Sequence, residues 1–302
     1  MKRISKPGEG ARGTRAPASG GLVALVIAFS VASAEPVKVV AAESVYGDIA
    51  RQVGGANVAV TSILANPSQD PHAFEAGAST ARAIADARLV IVNGVDYDPW
   101  AAKLLSASTP AGREVIEVAA LARKRSGANP HLWYDTTAVS ALATALASRL
   151  TQIDPAHGSD YAASLARFEA SMAPLRETIA ALRAKHAGTP VTATEPVFDY
   201  MAAALGLEMR NGRFQLAVMN GTEPSAAAIA AFEKDLRSRA VAVLLYNSQT
   251  SQALAVRMRA IALEAGVSVV AVSETEPQGQ SYQEWMLSQL AALDRALAGA
   301  RR

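Results

Sequence analysis

Val58-Ala59-Val60-Thr61-Ser62-Ile63-Leu64, followed closely by Asp70-Pro71-His72-Ala73-Phe74-Glu75, is the stretch on which the fold turns. The first part is a short run rich in β-branched residues, which reads as a strand of a covered sheet. It empties into a polar, acidic loop in which a proline precedes a histidine. The setting recurs further on, in Asn129-Pro130-His131-Leu132-Trp133-Tyr134-Asp135. With four histidines and no cysteine in 302 residues, scarce metal-ligand chemistry is concentrated in two similar loops. A thiolate site, a disulfide framework and a lipid-anchored cysteine are all excluded by composition.

Working outward, the chain alternates between strand and helix patterns. Val37 to Ala42 is an apolar run, and the helix pattern after it passes through Ile49 and Val53 to the stop at Gly54-Gly55. Strands are predicted at Leu89–Val92 and Glu114–Val118, with helices at Thr80–Ala87, capped by Ser79, and at Trp100–Leu105. Beyond residue 188, strands at Val191–Thr194, Ala240–Tyr246 and Val267–Val272 alternate with helices at Phe198–Leu205, at Ser251–Ala265 and from Tyr282 onward. One further helix is expected to be capped by Thr222 and to run to Arg239. Such alternation indicates parallel sheets with helices on both faces.

Between these halves lies a different pattern. Tyr161, Leu165, Phe168, Met172, Leu175, Ile179 and Leu182 recur at spacings of four and three, one stripe of a long helix. From Asp160 to Lys185 it would span about 39 Å, with a kink at Pro174 and an end at Gly188 and Pro190. The expected fold is therefore α/β, with two similar lobes, each a parallel sheet flanked by helices, and one long helix joining them. The corresponding boundaries are 35–157 for the first lobe, 158–188 for the helix and 189–302 for the second lobe.

Residues 1–34 read as a signal peptide. Lys2, Arg3, Lys6, Arg12 and Arg15 precede an apolar run from Leu22 to Val31, and Ala32-Ser33-Ala34 forms a small-residue cleavage site, so export and cleavage after Ala34 are expected. Losing that segment takes the basic count from 29 to 24 and the acidic count from 27 to 26, a formal net of −2. No basic face with interleaved aromatics remains, which excludes nucleic acid as a partner. No later apolar stretch reaches spanning length, so the mature chain is expected to be soluble and monomeric.

In open α/β sheets ligands bind beyond the carboxyl ends of the strands. His72, His131, Glu195 and Glu274 each follow such an end or the loop after it, two from each side of the long helix. Two neutral imidazoles and two carboxylates balance a divalent cation, so these four are the candidate metal ligands, placed in a cleft between the lobes. Glu276, two residues from Glu274 and on the same side of an extended segment, competes for the fourth position. His157 and His186 bracket the long helix and carry no site role; His186, in its last turn, is accounted for by the helix dipole and solvent. Trp133, Tyr134, Tyr246 and Trp285 read as packing residues that also shield an ion if they lie near the cleft.

The order Asp70-Pro71-His72, Asn129-Pro130-His131-Leu132-Trp133, Glu195-Pro196-Val197-Phe198-Asp199-Tyr200 and Glu274, with a long helix between the halves, resembles the solute-binding proteins of bacterial ABC importers for zinc and manganese. The likeness covers nearly the whole mature chain. It implies a two-lobed fold joined by a rigid helix, one metal site between the lobes, and delivery of the ion to a membrane permease in the periplasm. It also implies that His72 and His131 are the two histidines of the first lobe. Glu195 falls where the zinc branch has a third histidine and the manganese branch a glutamate, and Glu274 falls where the family generally has aspartate. The histidine-rich loop of many zinc members is missing; the segment before the second motif, Leu121 to Ala128, is short and basic.

Carboxylates that bind through both oxygens suit a hard cation such as manganese or ferrous iron, whereas zinc prefers four-coordinate, nitrogen-rich sites yet outranks manganese in intrinsic affinity. The ligand types lean toward manganese, with zinc kept open. Two other classes compete. A metal-dependent hydrolase uses two histidines and a carboxylate with an open position for water, but the chain has no His-Glu-x-x-His helix, Gly-x-Ser-x-Gly elbow or phosphate loop. No sequence feature supports the other, a surface adhesin.

Overall fold

The computed structural model describes residues 35–300; the leader and its cleavage site lie outside the described residues. The opening stretch forms β2 (Val58–Leu64), which pairs in parallel with β1 (Val37–Glu43) from Val37 opposite Val58 to Glu43 opposite Leu64. β3 (Leu89–Val92) lies on the other edge of β1, and β4 (Glu114–Glu117) on that of β3, giving the order β2-β1-β3-β4. A second all-parallel sheet contains β5 (Pro190–Ala193), β6 (Glu208–Arg210), β7 (Val243–Asn247) and β8 (Ser268–Val272) in the order β6-β5-β7-β8. The two lobes thus repeat one topology, and in each the direction of winding reverses at the second strand of the order. Ligand crevices form at such reversals.

Helices cover both faces of each sheet, which is why β3 and β7 are buried along their whole lengths. In the first lobe, α1 (Ser44–Gly54) and α5 (Thr136–Ile153) lie on one face; α2 (Ala78–Asp86) and α3 (Pro99–Ala107) lie on the other, with Ile84 and Ala101 against Val40, Val90 and Val92; the short α4 (Val118–Leu121) follows β4. In the second, α8 (Asp199–Ala204) precedes β6, while α9 (Gly212–Met219), α10 (Ala226–Arg237) and α11 (Ala253–Ala265) close over Phe214, Phe232, Leu244 and Met258. The inner faces of both sheets share one apolar core with α12 (Tyr282–Ala300). No helix among the described residues is long and apolar enough to cross a membrane.

The connecting stripe folds as two helices rather than one. α6 (Gly158–Ser171) and α7 (Ala173–His186) meet at Met172, and Pro174 sits in the first turn of α7, where its missing N–H interrupts the ladder. Bonds from Met172 N to Phe168 O (3.2 Å) and from Arg176 N to Met172 O (3.1 Å) keep the two nearly continuous. α6 packs on α1 and α5, whereas α7 packs on α12, so the interruption falls where the element passes from one set of neighbours to the next. His186 is buried, not solvated as the helix-end reading implied, and its Nε2 lies 2.7 Å from Asp294 Oδ1 on α12.

Two other expectations shift. α2 begins at Ala78 with Gly77 in the capping position, which places Ser79 inside the first turn. α10 is capped by Ser225, whose hydroxyl accepts from Ala228 N at 3.2 Å, while Thr222 Oγ1 donates to Ala217 O at the end of α9. The sequence pattern shows none of α4, α5, α9 and β6. α5 is rich in Ala, Ser and Thr and so lacks contrast between its faces, and β6 is three residues long with charged ends.

Candidate metal centre

Asp70 caps the turn that presents His72. Its Oδ1 accepts from His72 N at 2.9 Å and Pro71 starts a single 3-10 turn, Pro71–Ala73, since its ring pre-sets φ and lacks an N–H that the turn would leave unbonded. Asn129 does more in the second loop. Its Oδ1 accepts from His131 N (3.0 Å) and lies 2.7 Å from His131 Nδ1, so Nδ1 carries the proton and Nε2 presents its lone pair to the cleft. Its Nδ2 donates to Pro196 O (2.6 Å), and its own carbonyl accepts from Tyr200 Oη (2.8 Å), both from the second lobe. Glu195 in turn precedes a 3-10 turn begun by Pro196. Three of the four candidate ligands therefore stand beside prolines that shape their loops.

Glu274 is the centre of the cluster. His131 Nε2 lies 3.2 Å and His72 Nε2 3.3 Å from its Oε2, and Tyr97 Oη donates to the same oxygen at 2.9 Å. The ligand atoms of His72, His131 and Glu274 all fall within 4.8 Å of one another. His131 and Glu274 side chains are fully buried, whereas that of His72 is 36% exposed and forms the open side. Glu195 is outside this trio but reaches it through Asn247, whose Nδ2 donates to Glu195 Oε2 at 2.8 Å and to Glu274 Oε1 at 2.7 Å. Glu276, expected to share a side with Glu274, does not: its backbone N–H donates to Ser44 Oγ (3.3 Å), and its carboxyl group lies near Asp48 and Arg51. His157 pairs with Asp154 at 2.7 Å, well away from the centre.

Charge balance follows from these contacts. Burial works against a charged His72, but the hydrogen bond and charge of Glu274 outweigh it and raise its pKa to about 9. Burial likewise opposes the Glu274 carboxylate, yet the two imidazoles hold it well below the usual range. Glu195 is pushed up by burial and by the nearby Glu274 charge, against the hydrogen bonds of Asn247 and Thr250. The pocket thus balances the Glu274 charge with the His72 proton, and a bound cation would take that proton's place.

The residues that hold this arrangement without a ligand signature of their own are Tyr97, Asn247 and Gln249. Gln249 Oε1 accepts from Glu274 N (2.6 Å) and Thr275 N (2.9 Å), while its Nε2 donates to Gln69 O (2.8 Å) in the His72 loop. One side chain therefore fixes the backbone of one candidate ligand and tethers the loop of another. The signal available in sequence was only position: Asn247 and Gln249 follow the carboxyl end of an apolar strand. Trp133, by contrast, behaves as expected, with its ring edge-on to His131 at 5.4 Å between centroids.

The family model described as zinc-uptake complex component A, periplasmic (ZnuA), matches residues 39–296. The chain belongs to that family. Among ZnuA-family relatives, the high-affinity zinc uptake system protein ZnuA of Paracoccus denitrificans is 26% identical over 70% of this chain and 76% of its own. The manganese-binding lipoprotein MntA of Halalkalibacterium halodurans is 28% identical over 48% of this chain and 49% of its own. The solute-binding protein FpvC of Pseudomonas aeruginosa, solved in complex with Mn2+, shares the fold at a TM-score of 0.73 and 22% identity, over 88% of this chain and all of its own. The ZnuA-family fold is thus the two-lobed α/β architecture expected from the strand and helix alternation.

Proposed function

We propose that this ZnuA-family protein captures a divalent transition-metal ion, zinc or manganese, in the periplasm and delivers it to the membrane permease of an ABC importer. The observation that carries the reading is the convergence of His72 Nε2, His131 Nε2 and Glu274 Oε2 within 4.8 Å. His72, His131, Glu195 and Glu274 are the ligands in this reading, with residues 35–157 and 189–302 as the lobes and 158–188 as the helical connection. Relatives named for zinc and manganese support the class of cargo. The protein is exported with cleavage after Ala34, works as a monomer and performs no chemistry on its cargo.

The ion enters on the His72 side, where the site is open, and displaces the proton that His72 directs at Glu274. It then gathers Glu195 from the far side of Asn247. Lobe motion is small, because the lobes are joined across the apolar core and by bonds such as Tyr282 Oη to Trp133 O (2.9 Å) and Tyr134 Oη to Ser273 O (2.8 Å). Thermal melting tests the assignment: an ion at a thousandfold excess over its dissociation constant adds about 4 kcal/mol of stability when it binds only the native state. His72→Ala combined with His131→Ala abolishes that shift; a shift that survives both substitutions places the site elsewhere.

A further inference from the structure

We propose that Asn247 sets the coordination number of the metal site, holding one oxygen of Glu195 and one of Glu274 away from the ion so that the protein offers four ligand atoms. The inference rests on the reading of His72, His131, Glu195 and Glu274 as the ligand set. Asn247 is the last residue of β7, is 2% exposed, and stands on the strand next to β5, where the winding of the second sheet reverses. Its Nδ2 donates at 2.8 Å to Glu195 Oε2 and at 2.7 Å to Glu274 Oε1. Its Oδ1 accepts from Gln249 N at 3.1 Å, so a flipped amide would turn an oxygen toward two carboxylates and an NH2 group toward an N–H. The amide orientation is therefore dictated by its neighbours.

The consequence concerns denticity. Glu274 is engaged on both edges, by Asn247 at Oε1 and by His72, His131 and Tyr97 at Oε2. A carboxylate chelates an ion only when both oxygens face it, and the Asn247 bond turns Oε1 away. Glu195 likewise gives Oε2 to Asn247 and accepts a further hydrogen bond from Thr250, so it cannot turn both oxygens freely to the ion. The ion then receives two imidazole nitrogens and two carboxylate oxygens, the four-coordinate set that zinc accepts, while manganese lacks the further oxygens it seeks. Asn247 in this way biases toward zinc a pair of carboxylates that, unrestrained, would suit manganese.

The test is X-ray absorption on zinc-loaded and manganese-loaded full-length protein, with competition titrations of both ions, for the wild type and Asn247→Ala. The wild-type zinc site should show four nitrogen or oxygen neighbours at about 2.0–2.1 Å. Asn247→Ala should lower the zinc-to-manganese affinity ratio about tenfold and add an oxygen neighbour to manganese. Five or six neighbours around zinc in the wild type overturn the proposal whether or not the variant folds, as does a folded variant with unchanged ratio and coordination. Loss of the wild-type zinc spectrum's nitrogen contribution, or binding that persists in His72→Ala with His131→Ala, marks failure of the ligand reading instead and removes the proposal with it.

Discussion

His72 Nε2 lies 3.3 Å from Glu274 Oε2, although the two residues belong to different lobes and to loops that follow β2 and β8. The contact makes His72 the open edge of the cluster and, in the proposed metal-binding role, the group whose proton an incoming ion displaces.

Metal affinity should accordingly depend on pH. With the His72 pKa raised to about 9, one proton competes with the ion below that value, and affinity falls by about tenfold for each pH unit. The linked stability of the ion-free protein has the opposite slope. A raised histidine pKa stabilises below the ordinary value of 6.5, and that contribution is lost as pH rises toward 9. Competition titrations between pH 6 and pH 9 should show the slope in the wild type and a flatter profile in His72→Gln.

Gln249→Leu should weaken metal binding without removing a ligand. The substitution strips the acceptor from the backbone N–H groups of Glu274 and Thr275 and releases the tether to Gln69. Two buried donors left unpaired cost about 1–3 kcal/mol each. Urea melts of the ion-free protein should report the loss, and titration should show a weaker dissociation constant with an unchanged number of bound ions.

Glu276→Gln should flatten the alkaline loss of stability. Burial, reinforced by the charge of Asp48, pushes the Glu276 pKa up to about 9, and Oε1 has no hydrogen-bond partner. For an acid raised on folding, the native state holds the proton longer, so stability falls as pH climbs from the unfolded value near 4.5 toward 9. The variant should equal the wild type near pH 4 and exceed it by about 1–3 kcal/mol near pH 9, the cost of an unpaired buried polar group. Chemical denaturation at the two pH values checks the sign.

Asp135→Ala should destabilise the first lobe by about 1 kcal/mol, since Asp135 Oδ1 caps α5 through Thr137 N at 3.0 Å. Asp135→Asn should restore most of it, because an amide oxygen accepts the same bonds. Thermal melts of the three proteins separate capping from charge.

Much of the fold was legible because its signals are local. Runs such as Leu89-Val90-Ile91-Val92 announce buried parallel strands, and Gly266 ends α11 in a left-handed conformation that a residue without a Cβ adopts freely. The stripe from Tyr161 to Leu182 announced the connection, yet its division at Met172 depends on which helices it meets. β6 stayed hidden because three residues with charged ends are too short for a period of two to register, and it is the neighbouring β5 that makes them a strand.

The sequence by itself determined the chemistry that this protein has available: two imidazoles in proline-shaped loops, acids after strand ends, and no thiolate. Only the tertiary structure set Glu274 apart from Glu276, since two residues along an irregular segment sent one side chain to the histidines and the other toward Asp48 and Arg51. It alone brought in Tyr97, Asn247 and Gln249, whose neutral side chains carry no ligand signature and matter only through what they touch. The physical reason is that periodicity and turn residues are written in adjacent positions, whereas convergence is set by parallel strand register and by two sheets packed against one core.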